Sequence, residues 1–167
     1  MALVALKCMQ LLPNGLGGTV MISDCLHGKV RAEMVPKLGF PAWFPTVLGC
    51  YKLTQAVLNW VAGGAYTPLA QGLFAFQLGG AAFTHTIVEK KIVGNIPVLV
   101  FFSSSVIVHS LHRGGAMAWP LVFAGHAVLA AVGFATGYLV VAMGDGGRKA
   151  AGALPLSPVK WSKKRGF

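Results

Sequence analysis

Residues 117–143 read MAWPLVFAGHAVLAAVGFATGYLVVAM and contain no Asp, Glu, Lys or Arg. An α-helix needs about 20 consecutive, mainly apolar residues to cross the roughly 30 Å hydrocarbon core of a bilayer. This stretch is long enough, and Pro120 falls near its start, where a proline suits the first turn of a helix. We therefore predict a transmembrane helix over these residues.

Four further stretches have the composition of membrane spans, at about residues 3–24, 42–63, 68–88 and 95–112. The first is the weakest, because Lys7, Gln10, Pro13 and Asn14 interrupt it. Over the whole chain 55% of residues are hydrophobic and 11% are charged, whereas soluble domains average about 25% charged. The sequence predicts an all-α fold, a polytopic transmembrane bundle over residues 1–143 followed by a basic extramembrane tail over 144–167.

The basic residues predict the orientation of this bundle. With five spans, eleven of them fall on the side of the C-terminal tail, and only Lys7 and Arg113 fall on the other. The positive-inside rule then places the C-terminus on a cytoplasmic, matrix or stromal side. We expect an organellar membrane protein, in the mitochondrial inner membrane or alternatively the thylakoid.

The tail carries its charge in two clusters separated by Gly, Ala and Pro. The predicted contact residues are Arg148, Lys149, Lys160, Trp161, Lys163, Lys164 and Arg165. Because no single folded face gathers these charges, we expect the tail to contact anionic lipids or an acidic surface of a neighbouring membrane subunit, and not nucleic acid.

The last span contains a GxxxG pattern formed by Gly133 and Gly137. Small residues at this spacing let two helix backbones approach closely in lipid. We interpret the pair as a contact with a helix of a neighbouring subunit.

A polar stripe runs along the second span, where Lys52, Gln55 and Asn59 share one helix face. A cation near the middle of a span costs about 2.5 kcal/mol or more unless it snorkels or has a partner. This face therefore looks into protein. The stripe is interpreted either as a ligand, quinone or ion site with Lys52 as counter-ion, or as a structural feature. In the second case Lys52 forms a salt bridge, for example with Asp24, or contacts another subunit.

Three histidines are weak candidates for holding a cofactor. His109 and His112 fall in the last turns of the fourth span, and His126 lies about nine residues into the fifth. Two histidines on facing helices can ligate haem or a metal, but these positions predict different depths, which argues against haem. We assign no metal and no cofactor with confidence.

The sequence has no paired carboxylates, Ser/His/Asp set, phosphate-binding glycine loop or CxxC motif. None of the usual signatures of an active site is therefore present. The chain is predicted to be non-catalytic, although it can belong to an oxidoreductase complex.

The segment from Gly15 to about Leu111 resembles the DoxX-like family of small membrane proteins. The residues that carry the resemblance are Gly28-Lys29, the turn Lys37-Leu38-Gly39-Phe40-Pro41-Ala42-Trp43, Gly49, Gly63-Gly64 and Thr84-His85. The resemblance implies a four-helix bundle, to which the last helix and the tail are additions. Some members are subunits of quinol-linked oxidoreductases, which implies lipid or quinone as a ligand. The family tends to place a Glu where this chain has Lys52, so no role of an acid carries over there.

Three functions are consistent with these features. The first is a non-catalytic accessory subunit of a large bioenergetic membrane complex, of the respiratory chain, ATP synthase or photosystem type. The second is a DoxX-like, quinone-linked redox protein, and the third is a small transporter or channel that uses the polar stripe. We favour the first, in which helix faces and the tail serve as contacts.

Overall fold

A computed structural model describes residues 1–28, 38–114 and 118–144, with the backbone alone at 24–27. Every regular element in these ranges is helical, which confirms the predicted all-α class. Apart from Gly144, the predicted tail lies outside the described residues. So do all seven tail positions for which a partner or lipid contact was predicted.

We number the helices α1 to α6 in chain order. They are α1 (Ala2–Leu11), α2 (Gly17–His27), α3 (Phe44–Leu58), α4 (Thr67–Phe83), α5 (Asn95–His112) and α6 (Trp119–Met143). A π-helical turn at Leu12–Leu16 connects α1 directly to α2, so the two form one helical segment. Pro13 lies in this turn and has no N–H to continue the regular hydrogen-bond ladder.

Within the described residues, two helices are long and apolar enough to cross a membrane. They are α6 and the segment Ile92–His112, which consists of a short 3₁₀ turn followed by α5. Both coincide with predicted spans. The π-helical turn Thr84–Val88 extends α4 to the end of the predicted span 68–88.

The predicted span 42–63 was too long at its C-terminal end. Helix α3 ends at Leu58, and the turn that follows has left-handed backbone at Ala62, Gly63 and Gly64, with φ of 52°, 65° and 90°. Glycine adopts this conformation without a steric cost, so Gly63 and Gly64 permit a tight return into α4.

Helix α4 is the central element of the described fold and packs against α3, α5 and α6. Its buried apolar residues are Ala70, Phe74, Ala75, Leu78 and Phe83. Helix α2 packs on α3 at the side of this core.

Helices α4 and α6 approach each other backbone to backbone. A methyl group at Gly133 would collide with the carbonyl oxygen of Phe76, and one at Gly79 would collide with that of Ala130. Gly137 lies against the ring of Phe83. The close approach predicted from the GxxxG pattern therefore occurs, but its partner is α4 of the same chain, and this corrects the assignment of Gly133 and Gly137 to a neighbouring subunit.

Contacts between distant residues define the two ends of the bundle. At one end Lys7 of α1 bonds to the end of α3 and the start of α4, at Asn59 and Thr67. At the other end Gly39, just before α3, touches Gly144, which follows α6. The continuous α1–α2 segment, α3, α4, α5 and α6 thus run in alternating directions.

Candidate functional site

Lys7 is buried, with 7% of its surface exposed, in a polar network at one end of the bundle. Its ammonium donates hydrogen bonds to the backbone oxygen of Asn59 at 2.9 Å and to Oγ1 of Thr67 at 2.7 Å. The ring of Trp60 lies 5.6 Å away, within the range of a cation–π contact. The charge of Lys7 is therefore stabilised inside the chain.

Amide side chains continue the network across the bundle. Gln10 and Gln71 donate to each other at 3.1 and 2.8 Å, and Gln71 also donates to Oδ1 of Asn59 at 2.7 Å. Gln10 donates to Oγ of Ser104 at 3.2 Å. The network thus connects α1, α5 and α4 with the residue that follows α3. A buried network whose members are all paired fixes the relative positions of its helices.

Sequence reasoning missed most of this network. Lys7, Gln10 and Asn14 occur at i, i+3 and i+7, the same spacing as Lys52, Gln55 and Asn59, and they mark one face of a helix. We read the first set as interruptions of a weak span. Their spacing was the signal that could have identified a second buried polar face.

The structure separates the predicted polar stripe into three environments. Asn59 belongs to the network of Lys7. Gln55 is fully buried, and neither polar atom of its amide has a hydrogen-bond partner among the described residues. The hydroxyl of Tyr51, one turn earlier on α3, donates to the backbone oxygen of Leu73 at 2.8 Å. Lys52 lines a cavity and has no partner in the described ranges. The side chain of Asp24, its predicted partner, lies outside them.

A histidine pair lies near the opposite face of α4, where α5 and α6 meet. The rings of His109 and His126 have centroids 5.1 Å apart and are inclined by 58°. His126 is 2% exposed, and its Nδ1–H donates to the oxygen of Val122 at 2.9 Å. This bond leaves Nε2 of His126 as an acceptor, and it has no partner within the described chain.

His109 is also unpartnered, since neither of its ring nitrogens has a hydrogen-bond partner in the described part of the chain. The predicted difference in depth between His109 and His126 was wrong. Helix α6 begins at Trp119 and not at residue 117. At about 1.5 Å of rise per residue, His126 therefore lies about 3 Å closer to the start of its helix than predicted. The third candidate, His112, makes no ring contact with either histidine in the described structure.

A cavity of about 610 Å³ opens beside the histidine pair, between α4, α5 and α6. Its lining is mainly apolar, with Leu73 and Phe76 on α4 and Leu121 on α6, and Arg113 lies at its edge. The contact between the two rings leaves no room for a haem between them. A mainly apolar cavity with unpartnered nitrogens in its wall suits an apolar ligand that carries a hydrogen-bonding group.

A second cavity, of about 430 Å³, lies closer to the other end of the bundle, between α3, α4 and α6. Lys52 and Gln77 are among its polar lining residues. The polar network of Lys7 lines neither cavity.

A model of the DoxX-like family matches residues 12–108. The chain belongs to this family. Searches of curated proteins and of solved structures found no similar protein. The family membership and the apolar helices indicate a membrane protein, as predicted.

The match divides the sites of this DoxX-like protein unequally. Lys52, Gln55 and Asn59 lie inside the matched segment, whereas Lys7, His109 and His126 lie outside it. Both histidines of the pair therefore lie beyond the matched segment, His109 directly after its last residue and His126 on α6.

Proposed function

We propose that this DoxX-like membrane protein binds a quinol or quinone in the cavity beside His109 and His126. The observation that carries the proposal is a set of three buried ring nitrogens without partners at the wall of a cavity that is otherwise mainly apolar. A buried polar atom without a hydrogen bond costs about 1–3 kcal/mol, so such atoms in a folded protein call for a partner.

The chemistry of the pair favours a hydroxyl group over a carbonyl. Nε2 of His126 accepts a hydrogen bond, because Nδ1 of the same ring already donates to Val122. Neutral His109 offers one N–H donor. A quinol hydroxyl pairs two of the three nitrogens, since it donates to Nε2 of His126 and accepts from the N–H of His109, whereas a quinone carbonyl pairs only the N–H of His109. Reduced ligand should therefore bind more tightly than oxidised ligand.

The role proposed for the site is to bind the ligand. In this proposal, the protein holds a quinol-type molecule for a redox partner in the same membrane. The test uses purified protein in phosphatidylcholine nanodiscs, titrated with a short-chain quinol kept reduced and with the corresponding quinone.

We expect the quinol to raise the thermal unfolding midpoint more than the quinone does. His126→Ala should weaken quinol binding about tenfold, which corresponds to about 1.4 kcal/mol. His112→Ala is the matched control and should bind like the wild type. Equal binding by wild type and His126→Ala would contradict the proposal.

A second candidate function is the accessory subunit of a large bioenergetic complex. Helix α6 favours it, because it lies beyond the family segment and exposes Leu121, Val128 and Met143 by 76%, 62% and 72%. These side chains face either lipid or a neighbouring subunit. We place such a complex in an organellar membrane, the mitochondrial inner membrane or alternatively the thylakoid, with the basic tail on the matrix or stromal side.

Mild detergent extraction tests this second function. Membrane proteins that co-purify in stoichiometric amounts would identify the complex, and an absorption spectrum of the same sample would identify its pigments. Isolation of the chain alone, in detergents that keep other membrane complexes intact, would contradict it.

A further inference from the structure

The cavity that contains Lys52 is distinct from the histidine site and has a different chemistry. It lies between the N-terminal half of α3 and the C-terminal halves of α4 and α6. Aromatic and aliphatic residues form most of its wall, including Trp43, Phe44 and Val47 on the side of α3 and Val140 on α6. Such a lining suits an acyl chain.

Lys52 supplies the positive charge of this cavity. Its Nζ points toward Gly17 of α2, where a Cβ would lie 3.4 Å from it. Within the described residues no acceptor bonds to this ammonium, in contrast to Lys7, which has two. A cation inside a membrane-spanning bundle is costly unless it is paired, so Lys52 requires an anion.

Three of the other polar side chains around the cavity are already paired. His85 forms a 2.8 Å contact with Glu89, Thr84 donates to the oxygen of Gly80, and Thr136 donates to the oxygen of Val132. Gln77 keeps one amide oxygen without a partner in the described chain. Lys52 is therefore the group left to bind a headgroup, while Gln77 offers an acceptor for a headgroup hydroxyl.

We propose that this cavity binds an anionic amphiphile, with its acyl chain between α3, α4 and α6 and its carboxylate or phosphate on the ammonium of Lys52. A neutral ligand would fill the apolar space but leave the cation unpaired. The charge of the site thus selects against zwitterionic phosphatidylcholine and against uncharged lipids. A free fatty acid and an acidic phospholipid share the required chemistry.

Native mass spectrometry of the purified full chain distinguishes these sources. The protein is titrated in separate experiments with oleate, dioleoyl phosphatidylglycerol and dioleoyl phosphatidylcholine. We expect at least one anionic ligand to bind about tenfold more tightly than phosphatidylcholine. Preference for oleate alone would identify a fatty acid site, and preference for phosphatidylglycerol would identify a phospholipid site.

Three variants test the assignment to Lys52. Lys52→Met should lose the preference for anions, Lys52→Arg should keep it, and Lys91→Met, which removes an exposed charge, is the control that should keep it. Val47→Trp should block the cavity and lower binding without removing the charge. Undiminished anion preference in Lys52→Met, or equal affinity of the wild type for phosphatidylcholine, would overturn the proposal.

Discussion

Lys7 and Lys52 are two lysines within helices that have opposite surroundings. Lys7 donates to Asn59 and Thr67 and lies near the ring of Trp60, whereas Lys52 lines a cavity without a partner in the described chain. The same ammonium group is therefore part of the packed interior at one position. At the other, it is available to a ligand.

This contrast predicts a difference in stability between two matched variants. Lys7→Met leaves the oxygens of Asn59 and Thr67 without their buried donor and should lower the free energy of unfolding by about 1–3 kcal/mol. Lys52→Met removes a cation that has no described partner and should change it little, provided that no amphiphile is bound. Denaturant unfolding of the delipidated proteins in neutral detergent measures both. Equal destabilisation by the two substitutions would contradict this account.

The sequence predicts which polar residues face the interior of the bundle, but it does not predict their hydrogen-bond partners. The spacing of Lys52, Gln55 and Asn59 predicts one polar face, and Gln55 and Asn59 are indeed buried. Which group each one meets depends on the rotation of every helix about its axis. Hydropathy does not give this rotation, because the interior and the lipid-facing exterior of such a bundle are both apolar.

At the scale of elements, the closest contact is the crossing of α4 and α6. Gly133 lies so close to the backbone of Phe76 that no Cβ fits between them, whereas Gly125 on the same helix has open space around it. The two glycines therefore have different roles in one helix. Gly133 permits the crossing, and Gly125 contributes nothing to it.

We therefore expect Gly133→Ala to destabilise the bundle by about 1–3 kcal/mol or more, the cost of forcing an extra methyl group into a packed contact. Gly125→Ala should be neutral or stabilise by up to about 1 kcal/mol, because alanine is the better helix former. Thermal unfolding in detergent with circular dichroism compares the two variants. A midpoint for Gly133→Ala equal to that of Gly125→Ala would show that the crossing is looser than described.

Helix positions were more predictable than helix interruptions. The spans predicted at 95–112 and 117–143 coincide with α5 and α6 to within two residues, because long apolar runs between polar turns leave few alternatives. The π-helical turn around Pro13 was not predicted. Proline predicts a local break in the hydrogen-bond ladder, but the way the ladder closes again depends on neighbouring helices.

At the scale of the whole molecule, the alternating helix directions and the uneven distribution of basic residues between the two sides predict the same membrane topology. The contact between Gly39 and Gly144 places the loop before α3 and the start of the tail at the same end of the bundle. Lys90 follows α4 at that end. Of the eleven basic residues predicted on that side, the structure describes Lys90 and Lys91, and both lie at this end.

Cysteine labelling in sealed vesicles tests this topology. Lys90→Cys and Lys164→Cys should be modified from the same side, and Arg113→Cys from the opposite side. The three native cysteines must be replaced first, since Cys8 and Cys50 are exposed. If the cysteines at 90 and 164 were labelled from opposite sides, α5 and α6 would not both cross the membrane, and the predicted topology would be wrong.

The hydrogen bond between Gln10 and Ser104 also bears on the way the chain is made. Ser104 lies 94 residues after Gln10, so a ribosome adding about 5–20 residues per second delivers it roughly 5–20 s later. Over that interval, Lys7 and Gln10 have already left the ribosome without their full set of bonding partners. We expect the first helix to be synthesised first but to complete its hydrogen bonds to the other helices last. Until then, the insertion machinery must keep its polar face out of contact with lipid.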